Sequence, residues 1–176
     1  QAKDHPDYKR LLEMVNNPLL KDALFRFWEK FRNPRYRTLS SGQEVSEEVP
    51  FNLNITEGSS SLVENKEDAV DASFTVDLSL GDILEEYWNS EFGKYDGYEA
   101  RSVGITIEFV WHGTDWSEYV SYSGARHSAS YSSGSTVQRS RGLDIHLRGR
   151  WNGEFYSADF KSFEELIQWM AEAYAQ

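Results

Sequence analysis

The sequence contains no cysteine. Disulfides, thiolate nucleophiles and cysteine-ligated zinc are therefore excluded together, which fits a reducing compartment. Long hydrophobic runs are also missing: apolar stretches such as residues 103–111 fall far short of the roughly 20 residues that a membrane-spanning helix needs. No charged-then-apolar leader opens the chain. A cytoplasmic location and no membrane association are expected, with secretion left open because the chain starts at Gln1 rather than Met. Familiar nucleotide and metalloprotease signatures are absent too: there is no Gly-x-Gly-x-x-Gly, no Walker lysine, no His-Glu-x-x-His and no internal repeat. The four histidines, His5, His112, His127 and His146, are too scattered for a local metal motif, so neither a metal nor another cofactor is expected.

What the chain does have is aromatic bulk and segregated charge. Ten Phe, ten Tyr and six Trp in 176 residues provide enough apolar area for a packed core despite a net charge of −11, and argue against disorder. One domain over 1–176 is expected from the length. Residues 1–42 carry nine basic and five acidic side chains, residues 43–99 two basic and fifteen acidic, and residues 100–176 seven basic and nine acidic. The negative excess thus lies in the middle third. A field of that sign attracts basic surfaces and repels nucleic acid and anionic lipid.

Patterning predicts an α+β fold: an N-terminal helical hairpin, then a mainly antiparallel sheet of about five to seven strands with helices packed on one face. Tyr8, Leu11, Leu12 and Val15 recur at helical spacing after Asp4-His5-Pro6, and Asn17-Pro18 starts a second helix bearing Leu20, Leu24, Phe27, Trp28 and Phe31. These make the hairpin of residues 1–37. Residues 38–71 read as a mobile, acidic polar connector, with one short strand-like alternation at Val49, Phe51, Leu53 and Ile55. Residues 72–176 are predicted to hold the sheet and two helices. Phe74, Val76, Leu78 and Leu80 alternate as a half-buried strand, as do Val103, Ile105, Ile107, Phe109 and Trp111. Between them, Ile83, Leu84, Tyr87, Trp88 and Phe92 fall on a helical stripe ending at Gly93. Trp116, Val120 and Tyr122 suggest a hairpin partner for the strand ending at Trp111, and residues 123–142 read as a long polar loop.

The final hairpin can be registered from its turn. Asn152-Gly153 suits a two-residue turn, and counting outward pairs Trp151 with Glu154, Arg148 with Ser157, His146 with Asp159 and Ile145 with Phe160. Ser162-Phe163-Glu164-Glu165 is a capping box that opens a closing helix with an apolar face of Phe163, Leu166, Ile167, Met170, Ala173 and Tyr174.

No catalytic constellation is specified by these residues. His146, Asp159 and Ser157 share a strand face, but Ser157 lies opposite Arg148, and an exposed sheet face does not enclose a nucleophile. Glu108 and His112 also share a face, with no pocket specified around them. The leading expectation is a non-catalytic acidic protein-binding protein, of the inhibitor, immunity-protein or DNA-mimic kind, that blocks a basic site on a partner protein such as a nuclease or another nucleic-acid-binding protein, its carboxylates standing where phosphates would. Its candidate surface is Glu64, Glu67, Asp68, Asp71, Glu85, Glu86 and Glu91. The alternative is binding of a nucleotide or single-stranded nucleic acid, or an enzyme acting on one, through Arg126, Arg139, Arg141, His146, Arg148 and Arg150, with Phe155 and Trp151 for stacking.

Overall fold

A computed structural model describes residues 1–66, 68–126 and 129–176, with residues 116, 118–120, 122–126, 129 and 131 described in their backbone. After a short 3-10 turn at Ala2–Asp4, the elements in chain order are helices α1 (Pro6–Val15) and α2 (Pro18–Phe31), strands β1 (Arg35–Thr38), β2 (Glu44–Glu47), β3 (Leu53–Leu62), β4 (Val70–Asn89), β5 (Lys94–His112), β6 (Trp116–Arg126), β7 (Ala129–Arg139), β8 (Gly142–Trp151) and β9 (Glu154–Phe160), and helix α3 (Phe163–Ala175). The fold is α+β. One antiparallel five-stranded sheet has the order β3-β4-β5-β8-β9, and β1-β2 and β6-β7 form separate two-stranded ribbons.

The helix starts follow from local chemistry. At α1 the His5 side chain accepts from the Asp7 N–H at 3.0 Å with Pro6 at the first helical position, so His5 is the cap. Asn17 caps α2 through the Leu19 N–H at 2.9 Å, again just before a proline, since proline has no N–H to leave unsatisfied there. The expected hairpin is a pair of helices meeting at a bend between Val15 and Pro18, each packed on the sheet. At α3 the Ser162 hydroxyl accepts from the Glu165 N–H at 3.2 Å, while the Glu165 carboxylate accepts from the N–H of Lys161, one residue before the cap.

Tyr8, Leu11 and Val15 of α1, Leu24 and Phe27 of α2, and Leu166 and Met170 of α3 share one core with the alternating apolar residues of β4, β5 and β8. At its centre lies Trp151, only 2% exposed. Its ring stacks on Tyr156 at 4.0 Å and meets Phe27 edge-on at 4.7 Å. The indole lies across Gly149, where any Cβ would collide with it and with the Gly104 carbonyl. This explains a glycine inside a strand. The β8–β9 register is the one counted from Asn152-Gly153, residue for residue, with both turn residues at positive φ, 53° and 75°.

Four expectations are corrected. Residues 83–93 are not helical, because β4 runs unbroken to Asn89 and pairs with β5 as far as Asn89 opposite Lys94. Just before them the register shifts at a bulge between Ser79 and Gly81, with Gly81 at φ +110° packed against the Asn33 carbonyl and Val49. The connector 38–71 holds the end of β1, all of β2 and β3 and the start of β4, while the rest of β1 lies in the segment 1–37 expected to be helical; the polar residues of β3 occupy an exposed sheet edge where no apolar alternation is needed. The described residues of 123–142 are not a loop: 123–126 finish β6, 129–139 form β7 and Gly142 begins β8. Consequently Trp116, Val120 and Tyr122 sit on a strand that pairs with β7, not with β5.

Replacing Trp151 with alanine removes four aromatic neighbours from one ring. Trp151→Ala should lower unfolding free energy by about 3–5 kcal/mol, measured by urea denaturation. Phe155→Ala, at a side chain 72% exposed, should stay within about 0.5 kcal/mol of the parent.

Candidate functional site

β4 and β5 are longer than the sheet that contains them. β3 accompanies β4 only as far as Leu78, and β8 accompanies β5 only from Gly104 onward. Beyond those points the two strands continue alone, as a ribbon from Gly81 paired with Val103 to Asn89 paired with Lys94. At about 3.3 Å per residue it extends roughly 25–30 Å past the sheet. Residues 82–101 of this ribbon carry six carboxylates and two cations.

Cross-strand register sorts the ribbon's side chains by face. Leu84 lies opposite Ala100, Glu86 opposite Tyr98 and Trp88 opposite Tyr95. Leu84, Trp88, Tyr95 and Tyr98 are exposed, with Tyr98 at 68%. Ile83, Glu85 and Tyr87 alternate with them and are half-buried. Trp88 and Tyr95 meet edge-on at 5.3 Å, and the Tyr87 ring passes close to Gly97. At the tip, Asn89 accepts from the Glu91 N–H at 3.0 Å and donates to Asp96 at 3.3 Å. Phe92 is 63% exposed beside them.

Of the seven acidic residues selected from the sequence, Glu85, Glu86 and Glu91 belong to this ribbon. Glu85 sits at its root, bonded to Arg150 and 3.8 Å from Arg101, which also holds Glu99 at 2.6 Å. Its charge is answered within the chain. Glu86 and Glu91 are exposed. Glu64, Asp68 and Asp71 cluster at the opposite end of β4, and Asp71 accepts from the Gly113 N–H at 2.8 Å. The fifteen residue steps of strand from Asp71 to Glu86 span on the order of 50 Å. These are two separate surfaces. Glu67 lies outside the described residues.

The cations of the alternative site are mostly matched by carboxylates. His146 Nδ1 is 2.6 Å from Asp159, Arg139 is 3.6 Å from Asp144, Arg141 is 3.4 Å from Asp7, and Arg150 holds Glu85. Arg148 is exposed between Thr106 and Ser157. Arg126 ends β6, where the backbone alone is described, and His127 lies outside the described residues. Asp159, His146 and Glu108 form a row across the open sheet face, with Asp159 76% exposed. That row has no enclosure to support a nucleophile. No group of three or more His, Cys, Asp or Glu side chains among the described residues could hold a metal ion, and no helix among them is long and apolar enough to cross a membrane.

Two buried carboxylates tie the N-terminal helix and the β6–β7 ribbon to the body. Asp7 holds Arg10 and Arg141, whose guanidinium groups lie 5.2 and 5.8 Å from the Trp111 ring. Asp144 holds Lys161, His112 at 3.1 Å and Arg139. Burial by itself pushes the Asp144 carboxyl up, but the Lys161 hydrogen bond and charge, with His112 and Arg139, outweigh it and leave the group below its ordinary value. These two buried ion clusters were not legible in the sequence, because their members are brought together from α1, β5, β7, the β7–β8 connection, β8 and the residue after β9.

A carboxyl whose folded value is depressed binds protons less readily in the native state, so it adds stability above its unfolded value near 3.8 and loses that contribution as pH falls through the lower folded value. Asp144→Asn should therefore destabilise the protein at pH 7 and reduce the steepness of its stability loss below about pH 4, as read by urea midpoints across pH.

Protein-family models, curated proteins and solved structures were compared with the chain, and none matches.

Proposed function

We propose that this is a non-catalytic binding protein that occupies a basic site on a partner protein, as acidic inhibitors, immunity proteins and DNA mimics do. The observation that carries the reading is the β4–β5 ribbon: a projecting, acidic element with Leu84, Trp88, Phe92, Tyr95 and Tyr98 exposed. Exposed aromatic area supplies contact energy, and unpaired carboxylates supply long-range attraction and orientation. The refined contact set is Glu86, Glu91 and Asp96 with the aromatic residues; Glu85 supports the ribbon's root through Arg150. Glu64, Asp68 and Asp71, at the other end of β4, would serve a second contact region.

The internal matching of Arg139, Arg141, His146 and Arg150 favours this reading over anion binding. A nucleotide or single strand would be left with Arg148 and the exposed Phe155 ring on the open face, a small platform for such a ligand.

The test is affinity capture on the immobilised chain at low and high salt, with and without nuclease, followed by association kinetics with the partner so identified. A stoichiometric basic protein that survives nuclease is expected. The Glu86→Lys/Glu91→Lys double variant should slow its association by about tenfold or more and flatten the salt dependence. An unchanged rate would reject the acidic surface. Retention that nuclease abolishes and Arg148→Ala weakens would turn the assignment to nucleic acid.

A further inference from the structure

The exposed face of the ribbon has a composition that neither acidity nor aromaticity alone describes. Residues of one face follow the period-2 rule through Asp82, Leu84, Glu86 and Trp88 on β4, and their partners Ser102, Ala100, Tyr98 and Tyr95 on β5. The ribbon's two cations lie elsewhere: Arg101 opposes Ile83 and Lys94 opposes Asn89, both on the other face. The outer face therefore combines three aromatic rings and two carboxylates with no cation. Aromatic faces carry negative quadrupole potential, and a carboxylate beside them adds to it.

We propose that this face recognises an arginine-bearing extended segment of the partner, with one guanidinium seated against Trp88 and Tyr98 and bonded to Glu86. The inference rests on the protein-binding reading above and names the chemistry that its surface selects. A guanidinium suits the site better than an ammonium, because its planar fork can stack on a ring while donating two hydrogen bonds to one carboxylate. The spacing also fits an extended chain. Asp82 and Glu86 are four residues apart on a strand, about 13 Å, so cations four residues apart on an extended segment meet both.

The backbone offers the means to align such a segment. On the outer side of β5, residues 94–103 have no neighbouring strand among the described residues, so their outward N–H and C=O groups are available to an added strand. Addition at that edge would direct alternate side chains of the incoming segment onto the acidic aromatic face, giving affinity from the main chain and selectivity from the side chains.

The experiment uses the full chain and a fluorescein-labelled nine-residue peptide that alternates arginine with threonine and valine, read by anisotropy. Its counterpart has citrulline at every arginine, which keeps shape and removes charge. Binding of the arginine peptide is expected, with the citrulline peptide at least about tenfold weaker, and with Trp88→Ala, Tyr98→Ala and Glu86→Gln each weakening binding about tenfold. Arg148→Ala, on the open sheet face, should leave it unchanged. Circular dichroism of each variant checks that the fold is retained. Equal affinity for the citrulline peptide, or no effect of Trp88→Ala and Tyr98→Ala in folded protein, overturns the arginine assignment. So does binding of the ribbon to phosphatidylcholine vesicles with a blue shift lost in Trp88→Ala, which would assign the face to a lipid surface. A partner whose capture needs Glu86 and Glu91 but neither Trp88 nor Tyr98 overturns this inference while leaving the protein-binding reading in place.

Discussion

Every backbone N–H and C=O along a strand needs a partner, and the twenty residues of β4 set that demand for the whole molecule. Over its first half, β4 is flanked by β3 and β5, and its side chains alternate between the helix-covered core and the open sheet face. Past Leu78 only β5 continues beside it. The same strand pair thus belongs to two physical regimes, one fixed by packing against α1 and α2, the other, beyond a root where Leu80, Ile83 and Val103 still reach the core and Glu85 holds Arg150, relying on cross-strand bonds and side-chain pairs. A bulge at Ser79–Gly81 marks the change. There the Asn33 N–H donates to the Leu80 carbonyl at 2.6 Å and Gly81 admits the chain that follows α2, so the helical layer itself anchors the point where the ribbon departs.

Electrostatics divides along the same line. Within the body, cations and carboxylates far apart in sequence are matched: Arg141 with Asp7, Lys161 with Asp144, and Arg150 with Glu85. Asp7 and Asp144 are buried and held by several cations, a requirement for keeping a charge away from water. On the ribbon's outer face the matching stops. Glu86 and Asp82 lie on a face that holds no cation, which leaves an attractive potential directed outward.

Legibility in the sequence followed the physics of each segment. The β8–β9 hairpin could be placed to the residue because Asn152-Gly153 fixes both turn type and register. The helix caps at Asn17 and Ser162 were visible because they are local. The ribbon was not. Ile83, Leu84, Tyr87 and Trp88 fit a helical stripe, while the alternative alternation of Leu84, Glu86 and Trp88 interposes a charge, and no local signal announces that β5 will extend alongside. Strand β7, and the far parts of β3 and β6 beyond the alternations at Leu53 and Ile55 and at Trp116, Val120 and Tyr122, were missed for a related reason: ribbons and edge strands rich in Ser, Gly and Thr carry no hydrophobic period. For the candidate surface, charge counting identified Glu86 and Glu91, but only cross-strand register could group them with Tyr95 and Tyr98 and set them apart from Asp68 and Asp71.

A ribbon with exposed rings and an unpaired strand edge is also a template for another copy of itself, the hazard that natural sheets suppress with charge. The carboxylates of residues 82–101 act as gatekeepers against that outcome, since like charges on two approaching ribbons repel. Under the proposed binding role, aggregation resistance and partner choice would reside in the same side chains, and any change that neutralises the ribbon would relax both at once.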